Sequence, residues 1–236
     1  MSIFLRISEL LARTSCSALS TLVEAVRTAF QGDPQLRKRV AFSIAIIALS
    51  AKMAKADGIV TANEIRAFHE IFSVPPGEMR NVMRLYDLAK KDVAGFEAYA
   101  GQMAGLCGSG HANCPMLEDI LDGLFHIAKA DGVLHEREDT FLARVAEIFS
   151  VSESRFATIR ARHAAGGKAD PYILLGVDPE MPFPEIKRRY RQLVMESHPD
   201  RLLARGVPAE FLALANARLA AINAAFEQIE KGWLPA

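Results

Sequence analysis

Near the end of the chain, apolar residues recur at alternating spacings of four and three, which is the repeat of one helical face. The members of this stripe are Ala215, Leu219, Ile222, Phe226, Ile229 and Trp233. A helix with one such face must bury it against a neighbouring element. A second helix is predicted from about Pro184 to Ser197, and it offers a matching apolar face made by Ile186, Tyr190, Leu193 and Val194. The two helices are predicted to pack as a hairpin.

The connection between these helices begins with His198, Pro199 and Asp200, and we call this tripeptide the His-Pro-Asp loop. Pro199 is expected to end the preceding helix because it cannot continue a helical hydrogen-bond ladder. The preceding helix also carries a basic strip on a second face, made by Lys187, Arg188 and Arg191 and broadened by Arg189. A short apolar helix that ends at Gly176 precedes both long helices.

This pattern resembles the J domain in full, over residues 170–233. The resemblance depends on Tyr-x-x-Leu-Gly-Val at 172–177, on Tyr-Arg-x-Leu at 190–193, on the His-Pro-Asp loop and on Ala-Ile-Asn-Ala-Ala-Phe-Glu at 221–227. It implies that the loop triggers ATP hydrolysis in a DnaK-type chaperone and that the second helix docks on that partner's acidic surface. By resemblance, the partner-binding residues are His198, Pro199, Asp200, Tyr190, Lys187, Arg188 and Arg191.

The same residues admit other interpretations. The basic strip could be a solvated face, or it could bind nucleic acid, but it lacks the interleaved aromatic side chains that stack bases. We therefore predict no nucleic-acid partner. His198 and Asp200 could form an acid–base pair, although Pro199 separates them and no nucleophile accompanies them. The chain is accordingly not expected to be an enzyme.

Upstream, one sequence pattern occurs twice, at 55–64 and again at 129–138, with Lys-Ala-Asp-Gly at the start and Glu at the end. Each copy follows an apolar helix and leads into Glu-Ile-Phe-Ser-Val, which predicts a bundle of two similar helical hairpins around a buried first helix. Gly58 and Gly132 are expected in the left-handed conformation where their helices end. Thr61 and Glu64 are predicted to cap the next helix, and His135 replaces the threonine in the second copy.

Both copies resemble a calcium loop only in part, because Lys55 and Lys129 stand where an EF-hand needs oxygen ligands. The repeat instead resembles the tellurite-resistance TerB family over about residues 38–165. That family has an all-helical fold and is regarded as a metal-binding or interaction module. If a metal is bound, the resemblance implies that its ligands come from Asp57, Glu64, Asp131 and Glu138.

Two glycines and no large apolar residue between His163 and Ala169 predict a linker. The expected organisation is all-α, with an N-terminal helical segment (1–37), a TerB-like bundle (38–165) and a J domain (170–236). This order resembles the DjlA group of bacterial J-domain co-chaperones. Glu196, Ser197 and Phe226 depart from the commonest J-domain pattern, and the connection at 202–211 is longer than average.

The composition bears on the cellular compartment in which the protein is expected. Acidic and basic residues balance at 28 each, and the three cysteines are too few for a disulfide framework. We therefore expect reduced thiols and no zinc site at Cys107, His111 and Cys114. No segment approaches the about 20 apolar residues that span a bilayer, so a cytoplasmic protein is predicted. The N-terminal helix has one apolar face and is expected to pack on the core rather than to rest on a membrane; its members are Ile3, Phe4, Ile7, Leu10 and Leu11.

Taken together, these resemblances predict a co-chaperone that stimulates ATP hydrolysis by a DnaK-type chaperone. The TerB-like domain would direct the client or the location, and the linker would tether one domain near the target of the other. The client is unknown, and no cofactor is expected. The alternative is a metal-binding or stress-related interaction module in which the J domain is secondary. A dedicated iron–sulfur-assembly co-chaperone is disfavoured, because those proteins place the J domain first.

Overall fold

The computed structural model describes residues 3–13, 24–26, 28, 32–57, 74, 77–91, 95–106, 114–129, 132–164 and 169–233. The side chains at 11–13, 56–57, 106 and 210 lie outside this description. Within these ranges the chain forms helices and no strand, which confirms the predicted all-α class. The first part contains α1 (Ile3–Arg13), α2 (Pro34–Asp57), α3 (Met79–Lys91), α4 (Phe96–Leu106), α5 (Pro115–Ala128), α6 (Glu136–Ile148) and α7 (Glu153–Arg162). The second contains α8 (Pro171–Leu175), α9 (Phe183–Glu196), α10 (Pro199–Arg205), a 3-10 turn (Ala209–Phe211) and α11 (Leu212–Trp233).

Helices α1 to α7 form an N-terminal bundle around α2, which is buried on nearly all sides. Val40, Phe42, Ile46 and Leu49 have no exposed surface, and α2 contacts α1, α3, α4, α5 and α6. A helix that is apolar all round is stable in water only when other elements enclose it. The structure thus confirms the prediction that the first long apolar helix is central.

Helix α1 packs on this bundle through its apolar face. Ile3, Phe4, Ile7 and Leu10 are buried in the same core as α2, which confirms the prediction of a core-packed N-terminal helix. Among the helices that the structure describes, none combines the length and the apolar character needed to cross a membrane.

The second repeat copy forms the turn between α5 and α6. Gly132 has a φ of +91°, as predicted for a glycine past a helix end, although α5 already ends at Ala128. At the start of α6, the Glu138 carboxylate accepts a hydrogen bond from the His135 backbone N–H at 3.0 Å. This capping contact confirms the helix-turn-helix interpretation for this copy. Gly58, Thr61 and Glu64 of the first copy lie outside the described residues.

Cys114 immediately precedes α5 and is disulfide-bonded, with its partner cysteine outside the described residues. The sequence led us to expect reduced thiols, because three cysteines cannot all pair. That expectation is wrong for Cys114, because two of the three cysteines are enough to form one disulfide bond. Cys107 and His111 lie outside the described residues.

Helices α8 to α11 form a C-terminal hairpin with its own small core. Leu175 and Ile186 are enclosed there together with Ile222, Phe226 and Ile229 of the predicted stripe. Gly176 ends α8 with a φ of +62°, as predicted. The stripe departs from the prediction at both ends. Ala215 is buried in the bundle core and Leu219 is only half-buried. Trp233 remains half exposed, and its ring centroid lies 5.7 Å from that of Phe183.

The long connection at 202–211, which we call the docking segment, packs on the N-terminal bundle. Leu202, Val207 and Phe211 are buried in the bundle's core rather than in the hairpin's. The Phe211 ring meets Phe42 of α2 edge-on, with centroids 4.8 Å apart. Gly206 has a φ of +101° and lies so close to α2 that an added Cβ would stand 2.5 Å from the Lys38 Cβ. The hairpin is therefore packed on the bundle, which corrects the free tether predicted from the linker.

Candidate functional site

The His-Pro-Asp loop is the N-terminus of α10. His198 is the N-cap residue, and its imidazole Nδ1 accepts a hydrogen bond from the Asp200 backbone N–H at 3.2 Å. Pro199 occupies the first helical position, where its fixed φ suits the helix and its missing N–H costs nothing. The cap and the proline together fix the backbone of the loop. Pro199 therefore begins α10, whereas α9 already ends at Glu196 with Ser197 as its C-cap.

The side chains of His198 and Asp200 both face solvent. The side chain of His198 is 56% exposed and that of Asp200 is 85% exposed. The Asp200 carboxylate stands 3.7 Å from the His198 Nδ1, beyond hydrogen-bond distance. A carboxylate so exposed on a fixed backbone is able to accept a charge-assisted hydrogen bond from an arginine of a partner protein.

The basic strip lies on α9 beside this loop. Lys187, Arg188 and Arg191 are exposed, and Arg188 makes only a 4.0 Å contact with Glu185. Arg189 departs from the strip, because it is half-buried. Burial lowers its pKa against the raising effect of Glu196, and Arg155 of the N-terminal bundle lowers it further. Three of the four predicted cations thus form an exposed basic face.

Tyr190 packs between α9 and α11. Its ring stacks on Phe226 with centroids 4.1 Å apart and an interplanar angle of 12°, and its hydroxyl donates to the Asn223 Oδ1 at 3.1 Å. These contacts fasten α9 to α11. The role of Tyr190 in partner binding, expected from the resemblance, stays a prediction.

A buried ionic cluster between the hairpin and the bundle was not predicted from the sequence. Arg218 of α11 donates from Nη1 to the Asp119 Oδ1 at 2.7 Å, and from Nη2 and Nε to the Asp122 Oδ2 at 2.8 and 3.0 Å. Arg162 and His163 reach the other oxygen of Asp122, each at 3.1 Å. Each of these side chains except His163 is at least nine-tenths buried. The cluster therefore satisfies charges that would otherwise be costly to bury.

The charges in this cluster hold one another ionised. Burial would raise the pKa of Asp122, but Arg218, Arg162 and His163 outweigh it and hold that pKa well below its usual range. Burial lowers the pKa of Arg218, whereas Asp122 and Asp119 raise it and prevail. The contact between hairpin and bundle is thus charged at neutral pH.

A cleft of about 370 Å³, lined mostly by charged residues, lies at this boundary next to the His-Pro-Asp loop. Arg205 of α10 lines it, donates from Nη2 to the Glu196 backbone carbonyl at 2.6 Å, and stands 3.6 Å from Asp119 through Nε. Glu118 also lines the cleft, where burial and the neighbouring Asp119 raise its pKa against the effect of Arg155. The cleft thus brings charges of both signs together, and its wall includes the last residue of α9.

The structure describes the side chain of only one of the four predicted metal-binding carboxylates. Glu138 is buried and caps α6, while Glu64, Asp131 and the Asp57 side chain lie outside the described residues. Within the described ranges, no group of three or more His, Cys, Asp or Glu side chains could hold a metal ion. The set of four therefore stays a prediction.

Two family profiles match the chain. The profile described as "Tellurite resistance protein TerB" matches residues 43–161, and the profile described as "DnaJ domain" matches residues 170–231. These ranges contain most of the N-terminal bundle, without α1 and the start of α2, and most of the C-terminal hairpin. No solved structure matches the chain.

Curated relatives match over most of the chain. The co-chaperone protein DjlA of Photobacterium profundum is 29% identical over 220 residues, which is 82% of this chain and 78% of that protein. DjlA of Coxiella burnetii is 28% identical over 76% of this chain and 73% of its own length. DjlA of Shewanella oneidensis is 27% identical over 84% and 80%. These proteins are similar in sequence along both parts of the chain.

Proposed function

Because the chain belongs to the TerB family and joins its TerB domain to a J domain in the order of DjlA co-chaperones, we propose that it is a co-chaperone of a DnaK-type chaperone. Its His-Pro-Asp loop stimulates ATP hydrolysis by that partner. The observation that carries this proposal is the exposed pair His198 and Asp200, held on a fixed backbone beside an exposed basic face.

The division of work follows from the charges. Lys187, Arg188 and Arg191 present three cations on one face of α9, and such a face steers a weak encounter with an acidic surface. Steering sets the orientation of the encounter more than its strength. The loop, adjacent to this face, then meets the partner with His198 and Asp200. Hydrolysis takes place in the partner, and no residue of this chain reacts.

The N-terminal bundle directs the client or the location. What supports this part of the proposal is its fusion to a J domain in this chain and the similarity of most of the chain to DjlA co-chaperones. The client itself is not identified by any feature of the described residues. A cytoplasmic location stays a prediction.

The test is single-turnover ATP hydrolysis by a DnaK-type chaperone with increasing amounts of the full chain. We expect wild type to accelerate hydrolysis and His198→Gln to lose the acceleration. Arg144→Gln is the matched control, because it changes an exposed charge on α6 that pairs only locally with Glu147. Equal acceleration by wild type and His198→Gln would refute the loop as the active element.

A further inference from the structure

One line of contacts runs from the N-terminal bundle to the His-Pro-Asp loop. Asp119 of α5 binds Arg218 and also faces Arg205 at 3.6 Å. Arg205 in turn donates to the backbone carbonyl of Glu196 at 2.6 Å. Glu196 is the last residue of α9 and lies two positions before His198. A side chain of the bundle is therefore connected to the backbone of the loop through one arginine.

The arginine between them is well placed to transmit this restraint. The Arg205 Nη2 makes a short charge-assisted hydrogen bond, which is stronger than a neutral one. Its Nε faces Asp119 as an ion pair without a hydrogen bond. Since the Asp119 side chain is only 3% exposed and is itself held by Arg218, the anion cannot move away from Arg205.

The helix that starts with the loop is also held at its far end. Leu202 of α10 and Val207 just beyond it are buried in the bundle core, and Gly206 touches Lys38 of α2. Helix α10 is thus fixed by its cap at one end and by the bundle at the other. Its orientation depends on the bundle as much as on the hairpin.

Docking leaves the partner-binding face open. Lys187, Arg188 and Arg191 remain exposed, as do His198 and Asp200, while the hairpin is packed on the bundle. A contact that covers a functional surface would inhibit it, but this contact lies behind the loop. The arrangement favours support of the loop over its occlusion.

We propose that Asp119 and Arg205 are positioning residues: Asp119 holds Arg205, and Arg205 holds the end of α9, so that the bundle sets the orientation of His198 and Asp200. The TerB domain then contributes to stimulation directly as well as by choosing a client. This inference rests on the proposed function, but its structural part concerns the free protein alone.

Amide hydrogen exchange on the full chain tests the structural part without a chaperone. Arg205→Met removes the hydrogen bond and keeps the alkyl stem, and we expect exchange in the 197–202 segment to speed up by about tenfold. Arg205→Lys retains the charge and should restore part of the protection. Arg160→Met is the matched control, because Arg160 pairs with Asp139 on the surface of the bundle. Unchanged exchange in Arg205→Met would overturn the proposal.

Single-turnover hydrolysis tests the functional part. With Arg205→Met, we expect the maximal stimulated rate to fall and the half-saturating concentration to stay near wild type, because the basic face is intact. Asp119→Asn should act in the same direction, because it removes the anion that faces Arg205. Higher stimulation in either variant would overturn the proposal, because it would indicate that the contact inhibits.

The two proposals fail in different ways. If wild type and His198→Gln both give no stimulation, the proposed function is refuted, while the exchange result still decides whether Arg205 holds the loop. If His198→Gln loses stimulation and Arg205→Met keeps all of it, the co-chaperone function stands and the positioning role is refuted.

Discussion

The guanidinium of Arg218, in the C-terminal hairpin, is bound by the carboxylate of Asp122, in the N-terminal bundle, through two hydrogen bonds of 2.8 and 3.0 Å. The two residues are 96 positions apart in the chain. This contact joins the domains into one packed unit, although a glycine-containing segment connects them.

Breaking this pair from one side should be costly. Asp122→Asn would leave Arg218 and Arg162 buried beside a neutral side chain, and removal of one partner of a buried pair costs about 3–5 kcal/mol. We expect a loss of that order in the free energy of unfolding, measured by urea denaturation of the full chain. The exposed pair of Arg160 and Asp139 serves as the control, since loss of a surface pair costs about 0–1 kcal/mol. A similar small loss in Asp122→Asn would show that the cluster does not hold the domains.

The same pair predicts how stability depends on pH. Because the pKa of Asp122 is lowered in the folded protein, its contribution to stability is complete above its ordinary pKa of 3.8 and is lost as the pH falls below that value. Glu118 acts in the opposite direction, because burial raises its pKa, but it is present in both of the proteins compared below. The free energy of unfolding in urea should be measured for wild type and Asp122→Asn from neutral to acidic pH. We expect the difference between the two proteins to shrink toward low pH. A difference independent of pH would contradict this assignment.

The dual role of His198 can be separated by substitution. His198→Asn replaces an imidazole cap with a residue type that is among the best N-caps, so thermal stability should stay near wild type. Stimulation of the DnaK-type chaperone should nevertheless be lost, because the imidazole that faces the partner is gone. A thermal melt and the turnover assay on the same sample check both statements. Retained stimulation would mean that His198 acts only as a cap.

Docking of the hairpin can be tested at Gly206. Gly206→Ala places a Cβ against Lys38 as well as forcing an alanine to a φ of +101°. Gly132→Ala is the matched control, because its φ of +91° is similar and no described atom lies within 4 Å of the added Cβ. The free energy of unfolding of the control should fall by about 1–2 kcal/mol, because an alanine in the left-handed conformation is strained. Gly206→Ala should lower the free energy of unfolding by more than the control does, and amide exchange at Val207 and Phe211 should become faster. Equal losses of stability in the two variants would contradict the close contact between Gly206 and Lys38.

The sequence predicted the loop, the exposed basic face and most of the apolar stripe, because all of these depend on local order and helical spacing. Ile222 and Phe226 are buried as the period requires. Gly132 adopts the predicted positive φ, but in the turn beyond α5 rather than at the helix end, which lies at Ala128.

The contact between the domains could not be predicted in the same way. Arg218 lies in the middle of a helix whose sequence alternates apolar and polar residues. Asp119 and Asp122 resemble the acidic residues on the exposed face of an ordinary amphipathic helix. Only the fold brings them together, and no local pattern records a partner so distant in sequence. The long connection at 202–211 was noticed as a departure from the J-domain pattern, yet its burial on α2 required the three-dimensional arrangement.

The most direct measurement is single-turnover ATP hydrolysis by a DnaK-type chaperone with wild type and with Asp200→Asn. The side chain of Asp200 is 85% exposed and the cap uses its backbone N–H, so this substitution should leave the fold unchanged. The account predicts that wild type accelerates hydrolysis and that Asp200→Asn, at any concentration, does not. Equal acceleration by both proteins would contradict the central claim that this loop acts on the chaperone.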